Sequence, residues 1–444
     1  MSRTRIVKGT YTKITKGNYN MYAGGNTNIT ALGKNNFKGD NNTIYGNNPQ
    51  KPPVFTTEKT RVKTIVCLDD LDEGAANDGE KGTVQKGIIH GKSYKFEVSE
   101  FTDGEPLNEK SIKWKVSCIN SDTGDTYSNV LKDEFYKGKN ISINFNVSNY
   151  CGYKIIVKAY IENSETEGQF NTLIHYRFRW FDREILKKEI KARTDDGLPW
   201  KIDQNGTSLC GMASIFYLFA KEQPEEYKKF ALELHRTGEC QYNDYKVTPD
   251  ENLYKRRPFT EDETVNNDYV FIPIVNKQGK EVDREYMPLV DYITLGSVRN
   301  TGNGMYKGGN EQVAAINWPW FMVDLCKKFL GYSEVDSKGI YNPIKPLVST
   351  SFGFEEKRQE MNQLLADGYR LILMIDSDLI DDRWDFSSVD LHWVVLETPI
   401  EKIKGKTEYL YRFKVFSWGC KDYPVVDMTW SHFINNFNGY IKVK

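Results

Sequence analysis

The run Met212-Ala213-Ser214-Ile215-Phe216-Tyr217-Leu218-Phe219-Ala220 constrains this chain more than any other segment. At helical spacing it presents almost no polar face, so a helix here must be enclosed by other elements. Only a domain with its own core can enclose it. Directly before it stands Gln204-Asn205-Gly206-Thr207-Ser208-Leu209-Cys210-Gly211, a polar, turn-prone stretch that ends in a thiol.

A thiol at that junction has a chemical meaning. The first N–H groups of a helix have no partner within it, and they carry partial positive charge. They favour a thiolate, so the pKa of Cys210 is expected to fall. Gly211 is expected to let a substrate backbone come close. Gln204 stands six residues before Cys210 and is a candidate second donor to an oxyanion. The competing reading is a buried structural cysteine.

A thiolate mechanism also needs a base. His90 and His175 fall in a β-type region, and His235 falls on the polar face of an amphipathic helix. His432 reads as a surface or cap residue. His392 opens an apolar strand, His392-Trp393-Val394-Val395-Leu396, which makes it the best-placed base.

The chain's organisation changes twice along its length. Residues 1–53 are rich in Gly, Asn and Thr and bury too little to fold alone. They read as a β-rich leader for delivery or docking, closed by a linker at Pro49, Pro52 and Pro53. Residues 54–182 predict an antiparallel β-sandwich with strands near Thr60–Leu68, Ser93–Phe101, Ile112–Ile119, Asn140–Val147, Tyr153–Ile161 and Gln169–Arg179. Trp114 and Cys118 near Cys151 give it an immunoglobulin-like character. Residues 183–444 predict helices first and antiparallel strands last, an α+β pattern. Helices are expected at Glu184–Arg193, Met212–Ala220, Pro224–Arg236 and Glu355–Ala366, with a helix interrupted near Pro319 within Gln312–Leu330. Strands are expected at Arg370–Ile375, His392–Glu397, Tyr409–Phe416 and Gly439–Val443.

Seven cysteines without a C-x-x-C read as reduced, with a Cys118–Cys151 bridge as the alternative. Lys+Arg 60 against Asp+Glu 61 leaves a net charge of -1, with no global pull toward nucleic acid or an anionic membrane. Met1–Tyr11 has no apolar signal core, and no apolar run is long enough to span a membrane.

Gln204, Cys210-Gly211 and His392-Trp393 together resemble the papain-like cysteine peptidases, in order and in spacing. Phe416-Ser417-Trp418-Gly419 resembles that family's Asn-Ser-Trp-Gly stretch, and Gly439–Val443 its last strand. The resemblance implies a papain-like fold over residues 183–444, with Cys210 as nucleophile, His392 as base and Gln204 in the oxyanion hole. It departs at Phe416, where the family carries its orienting Asn. The third member is then Ser417, with Asp422 or Asp427 as later alternatives, or the site is a Cys–His dyad.

The segments "GMASIFYLFAKEQPEEYKKFALELHRTGE" and "DYITLGSVRNTGNG" further resemble papain-like toxin domains of bacterial polymorphic toxins and type VI secretion effectors. The N-terminal segment resembles the leader of large toxins from Bacteroidota. These likenesses imply an effector made in the cytoplasm without a signal peptide and exported by a contractile secretion system into a target cell. The partners implied are a secretion-apparatus component on the leader, a cognate immunity protein over the Cys210 cleft, and a protein or peptide substrate. Peptidoglycan amidase, transglutaminase or deamidase chemistry, and an inactive adaptor or structural component of the apparatus, are the alternatives.

Asp376 to Asp385 reads as a solvated acidic loop, because an EF-hand would need Gly at its sixth position and Glu at its twelfth. Ser297–Gly304 reads as a turn-rich connector. Trp318-Pro319-Trp320 reads as core packing, with sugar or peptide binding as the alternative. No phosphate loop, dinucleotide fingerprint or zinc spacing is present, so no cofactor or metal is expected.

Overall fold

The computed structural model describes residues 60–127, 136–205, 207–258, 271–275, 281–308, 312–339, 354–380, 391–417 and 419–444. The leader 1–53, the acidic residues 381–390 and Trp418 lie outside them, as do the side chains of Asp422 and Asp427. Residues 60–444 form one compact unit of mixed α and β structure.

The first part is built of antiparallel strands whose residues alternate in and out. They are β1 (Val62–Cys67), β2 (Asp72–Ala75), β3 (Val84–Gly87), β4 (Ser93–Phe101), β5 (Lys113–Asn120), β6 (Thr126–Tyr127), β7 (Asn140–Asn144), β8 (Tyr153–Tyr160) and β9 (Gln169–Leu173). One sheet runs β1-β4-β7 and another β6-β5-β8-β9, with β2-β3 as a separate ribbon. Phe96 and Val98 from the first sheet and Trp114, Val116 and Val157 from the second fill one core between them. Cys118 and Cys151 are both free.

The last strand is shorter than the sequence predicts. It stops at Leu173 because the chain then leaves the sheet for the helical region. There Arg177 N–H donates to Arg236 O (3.0 Å) and Phe178 N–H to His235 O (3.3 Å). The crossing is reinforced by Arg183, almost fully buried, which pairs with Asp122 at 2.7 Å.

The second part begins with α1 (Arg183–Arg193), capped by the Asp182 carboxylate, which accepts from the N–H groups of Glu184 and Ile185. Then come α2 (Cys210–Glu222) and α3 (Pro224–Thr237). The last starts at a proline and ends on Gly238 with φ 78°, a left-handed cap open to glycine. A hairpin of β10 (Cys240–Tyr242) and β11 (Tyr245–Val247) precedes the short α4 (Glu251–Tyr254). A second hairpin pairs β12 (Phe271–Val275) with β13 (Glu281–Tyr286). Helices α5 (Leu289–Gly302), α6 (Gln312–Ala315) and α7 (Pro319–Lys328) follow. Most of the Ser297–Gly304 stretch is therefore the buried end of α5 and not a connector. Tertiary burial overrides its glycines and asparagines, and Arg299 anchors it by donating to the Ala315 and Ile316 carbonyls.

The remaining elements are β14 (Val335–Lys338), α8 (Phe354–Ala366), β15 (Arg370–Asp376), β16 (Leu391–Leu396), β17 (Glu401–Lys404), β18 (Tyr409–Ser417), β19 (Cys420–Thr429), α9 (Trp430–Asn436) and β20 (Phe437–Val443). They build one antiparallel sheet, β14-β20-β15-β16-β18-β17, with β19 also on β18. Its central strands read as unbroken apolar runs, Leu371–Ile375 and Trp393–Leu396, because both faces are covered. Ile372, Met374, Trp393 and Val395 point into the core around α2. Leu371, Leu373, Ile375, Val394 and Leu396 point into a second core closed by Met361 of α8 and Phe433 of α9. Helix α2 itself is buried from Cys210 to Ala220.

Candidate active site

The turn before α2 is held by its own residues. The Gln204 carbonyl accepts from the Thr207 N–H (3.3 Å) and hydroxyl (2.6 Å), and the Gln204 side-chain amide donates to the Thr207 carbonyl at 2.8 Å. That bond orients Gln204 and occupies one of its two amide hydrogens. Asn205 takes φ 52°, and Asp203 accepts its N–H at 2.8 Å.

Cys210 is the first residue of α2, and the cap residue Leu209 supplies no side-chain bond. The open N–H groups of Cys210 and Gly211 therefore face the sulfur, together with the N–H of Trp393. These donors favour the thiolate, yet burial outweighs them and pushes the thiol up to about 11. The expected fall in pKa is thus reversed in this closed arrangement, since Cys210 is only 6% exposed.

The space beside Gly211 is also taken. A Cβ there would sit 2.6 Å from Asn317 Cβ and 2.7 Å from Met322 Sδ. Glycine is needed for packing at this point, and not to admit a substrate backbone. Asn317 is held in turn by the Trp393 indole N–H, which donates to its carbonyl at 2.9 Å.

His392 lies on β16, opposite Ile375 of β15. Cross-strand partners share a face, so the imidazole lies with Ile375 and Val394 on the face away from α2. There its Nε2 meets the Ser417 hydroxyl at 2.8 Å. Burial alone holds the imidazole down at about 3, so it is neutral.

The thiol and the imidazole are both related to β16: the Trp393 N–H faces the Cys210 sulfur, and His392 directly precedes Trp393 in the chain. Among the described residues the β16–β18 ladder joins Val395 to Phe416 and Leu396 to Val415. The His392–Ser417 bond joins β16 to β18 on the far face. Phe416, which stands in place of the family's Asn, faces the other way and stacks on Tyr217, with ring centroids 3.9 Å apart and planes 3° from parallel.

The other histidines do different work. His235 is fully buried and not on a polar face, with Nε2 on the Phe181 carbonyl at 2.8 Å and Nδ1 beside Arg183. His175 Nε2 meets the Asp72 carbonyl at 2.9 Å. His432 lies on α9, where its N–H donates to Thr429 Oγ1. Trp318 and Trp320 are 48% and 69% exposed, so they are surface residues and not core. The packing of Asn317 on Gly211 was not anticipated, since a lone asparagine between Ile316 and Trp318 carries no sequence signature.

Among the described residues no cluster of three His, Cys, Asp or Glu could hold a metal ion. No described helix is long and apolar enough to cross a membrane. No protein-family model matches the chain, and no curated protein matches it.

Proposed function

We propose that residues 183–444 form a papain-like cysteine hydrolase that cuts peptide or amide bonds, carried in a secreted antibacterial effector. The observation that carries the chemistry is the thiol at the first turn of α2 with the Trp393 N–H on its sulfur, and the imidazole on the residue directly before Trp393. Ser417 holds His392 Nε2, and in this reading the imidazole takes the thiol proton on Nδ1. With that proton on the imidazole, Cys210 Sγ bonds to the substrate carbonyl carbon. The N–H groups of Cys210 and Gly211, with the second amide hydrogen of Gln204, face the oxyanion. The C–N bond then breaks as the imidazole returns the proton to the leaving amine. Water adds to the thioester, releasing the acid and restoring the thiol. The imidazole must turn from the far face toward the sulfur for the first step.

The effector reading rests on the likeness of the chain to polymorphic toxins. It assigns residues 1–53 to the secretion apparatus, residues 54–182 to a spacer and the Cys210 cleft to an immunity protein. Peptidoglycan amidase and transglutaminase or deamidase activity use the same nucleophile and differ only in the pocket.

A second reading, a binding or adaptor protein with no turnover, is favoured by the buried neutral thiol and by the imidazole's placement on the far face. One experiment separates the two. The purified chain is incubated with a target-cell lysate and with peptidoglycan, and new amino termini, released ammonia and muropeptides are mapped. The hydrolase reading expects products that vanish in Cys210→Ala and in His392→Ala. Products that persist in Cys210→Ala would sink it.

A further inference from the structure

Asn317 is set against the first turn of α2, and unlike Cys210 its polar side chain bonds to nothing. It is 1% exposed, and neither Oδ1 nor Nδ2 has a partner. Burying a carboxamide in this way is costly, and native chains pair nearly all such groups. The fold nevertheless holds it firmly. The Asn317 carbonyl is fixed by Trp393, and Pro319 starts α7 two residues on. Gly211 gives up its side chain to make room, since a Cβ there would lie 2.8 Å from Asn317 Oδ1.

An unpaired carboxamide offers a donor and an acceptor side by side. Its complement is another amide, which returns one of each. A carboxylate would satisfy Nδ2 and be repelled by Oδ1, and an ammonium would do the reverse. We infer that Asn317 binds the substrate's amide group beside Cys210, taking its N–H on Oδ1 and giving Nδ2–H to its carbonyl. The inference rests on Cys210 as the nucleophile, and it narrows the substrate to an amide in either a peptide bond or a glutamine side chain.

Two alkylating reagents test this without assuming turnover. Iodoacetamide and methyl iodoacetate react alike: the thiolate sulfur bonds to carbon, the C–I bond breaks and iodide leaves. They differ in that only the first carries an amide. Rates at Cys210 are read on the full chain by peptide mapping, at about pH 9 so that some thiolate is present. The expected result is an amide-over-ester preference about tenfold above that of free cysteine, the worth of roughly one good hydrogen bond. Asn317→Leu should abolish the preference while its thermal midpoint holds or rises, because two unpaired polar atoms are gone. Asn317→Asp, which keeps the acceptor that distinguishes the amide N–H from the ester oxygen, should keep a preference while both rates fall, because its charge disfavours the nearby thiolate.

A preference unchanged in Asn317→Leu overturns the inference and leaves the nucleophile standing. Failure of both reagents to modify Cys210 in the folded chain removes the nucleophile, and this inference with it. With a glutamine-containing peptide, ammonia release marks the side-chain amide as substrate, and a new amino terminus marks the peptide bond.

Discussion

Phe416 and Ser417 are adjacent on β18 and point to opposite faces, so one residue packs and the other meets the imidazole. Phe416 lies on Tyr217 of α2, while Ser417, 2% exposed, meets His392. Burial of that imidazole ties stability to pH. Its ordinary value near 6.5 falls to about 3 in the fold. Above pH 6.5 it is neutral folded and unfolded, and its contribution is whole. Below that, the unfolded chain takes up a proton that the folded chain refuses, and stability drains away down to about pH 3. Urea unfolding at about pH 7.5 and about pH 4.5 should show His392→Gln losing roughly 3 kcal/mol less than the parent over that interval. Equal losses would mean that His392 is not buried neutral.

At the scale of elements, α2 is the piece on which the site depends, and its first turn is its tightest point. Asn317 and Met322 close over Gly211 with less room than a methyl group requires. Gly211→Ala gains helix propensity but must push back a backbone segment held by Trp393. The net should be a loss of about 1–3 kcal/mol, the usual cost of overpacking. Chemical denaturation measures it, and a stabilised variant would mean that the 317–322 segment yields freely. The apolar runs of β15 and β16 show the same dependence on neighbours. They form strands in a sheet with cores on both faces.

At the scale of the whole molecule, a buried ion pair ties the helical layer to the turn that leads into the site. Arg193 of α1 and Asp291 of α5 are 2% and 0% exposed, with Arg193 Nε 3.1 Å from Asp291 Oδ1. Asp291 also accepts the Asp203 N–H at 2.9 Å, and Arg193 donates to the Lys201 carbonyl at 2.8 Å. The pair thereby fixes residues 201–203, directly before Gln204. Asp291→Ala leaves a buried guanidinium uncompensated and should cost about 3–5 kcal/mol. The double variant Arg193→Met with Asp291→Leu should recover much of that loss in the same unfolding assay. A double variant worse than the single one would show that the pair itself, and not an orphaned charge, carries the stability.

The sequence by itself determined which segments become helix and which strand wherever periodicity was strong. The buried α2, the amphipathic α3 and the apolar β15 and β16 all stand within a few residues of their expected positions. It also placed Cys210 at a helix start and His392 at the beginning of a strand, because turn residues and apolar runs mark those junctions locally. Only the tertiary structure decided what these residues face. The burial that reverses the Cys210 pKa, the register that sends His392 to the far face, and the orphaned Asn317 beside Gly211 all depend on contacts between residues distant in the chain. Desolvation and strand register are properties of packing, and a local pattern does not encode them. The same holds for α5, whose turn-prone residues become helical because the core encloses them.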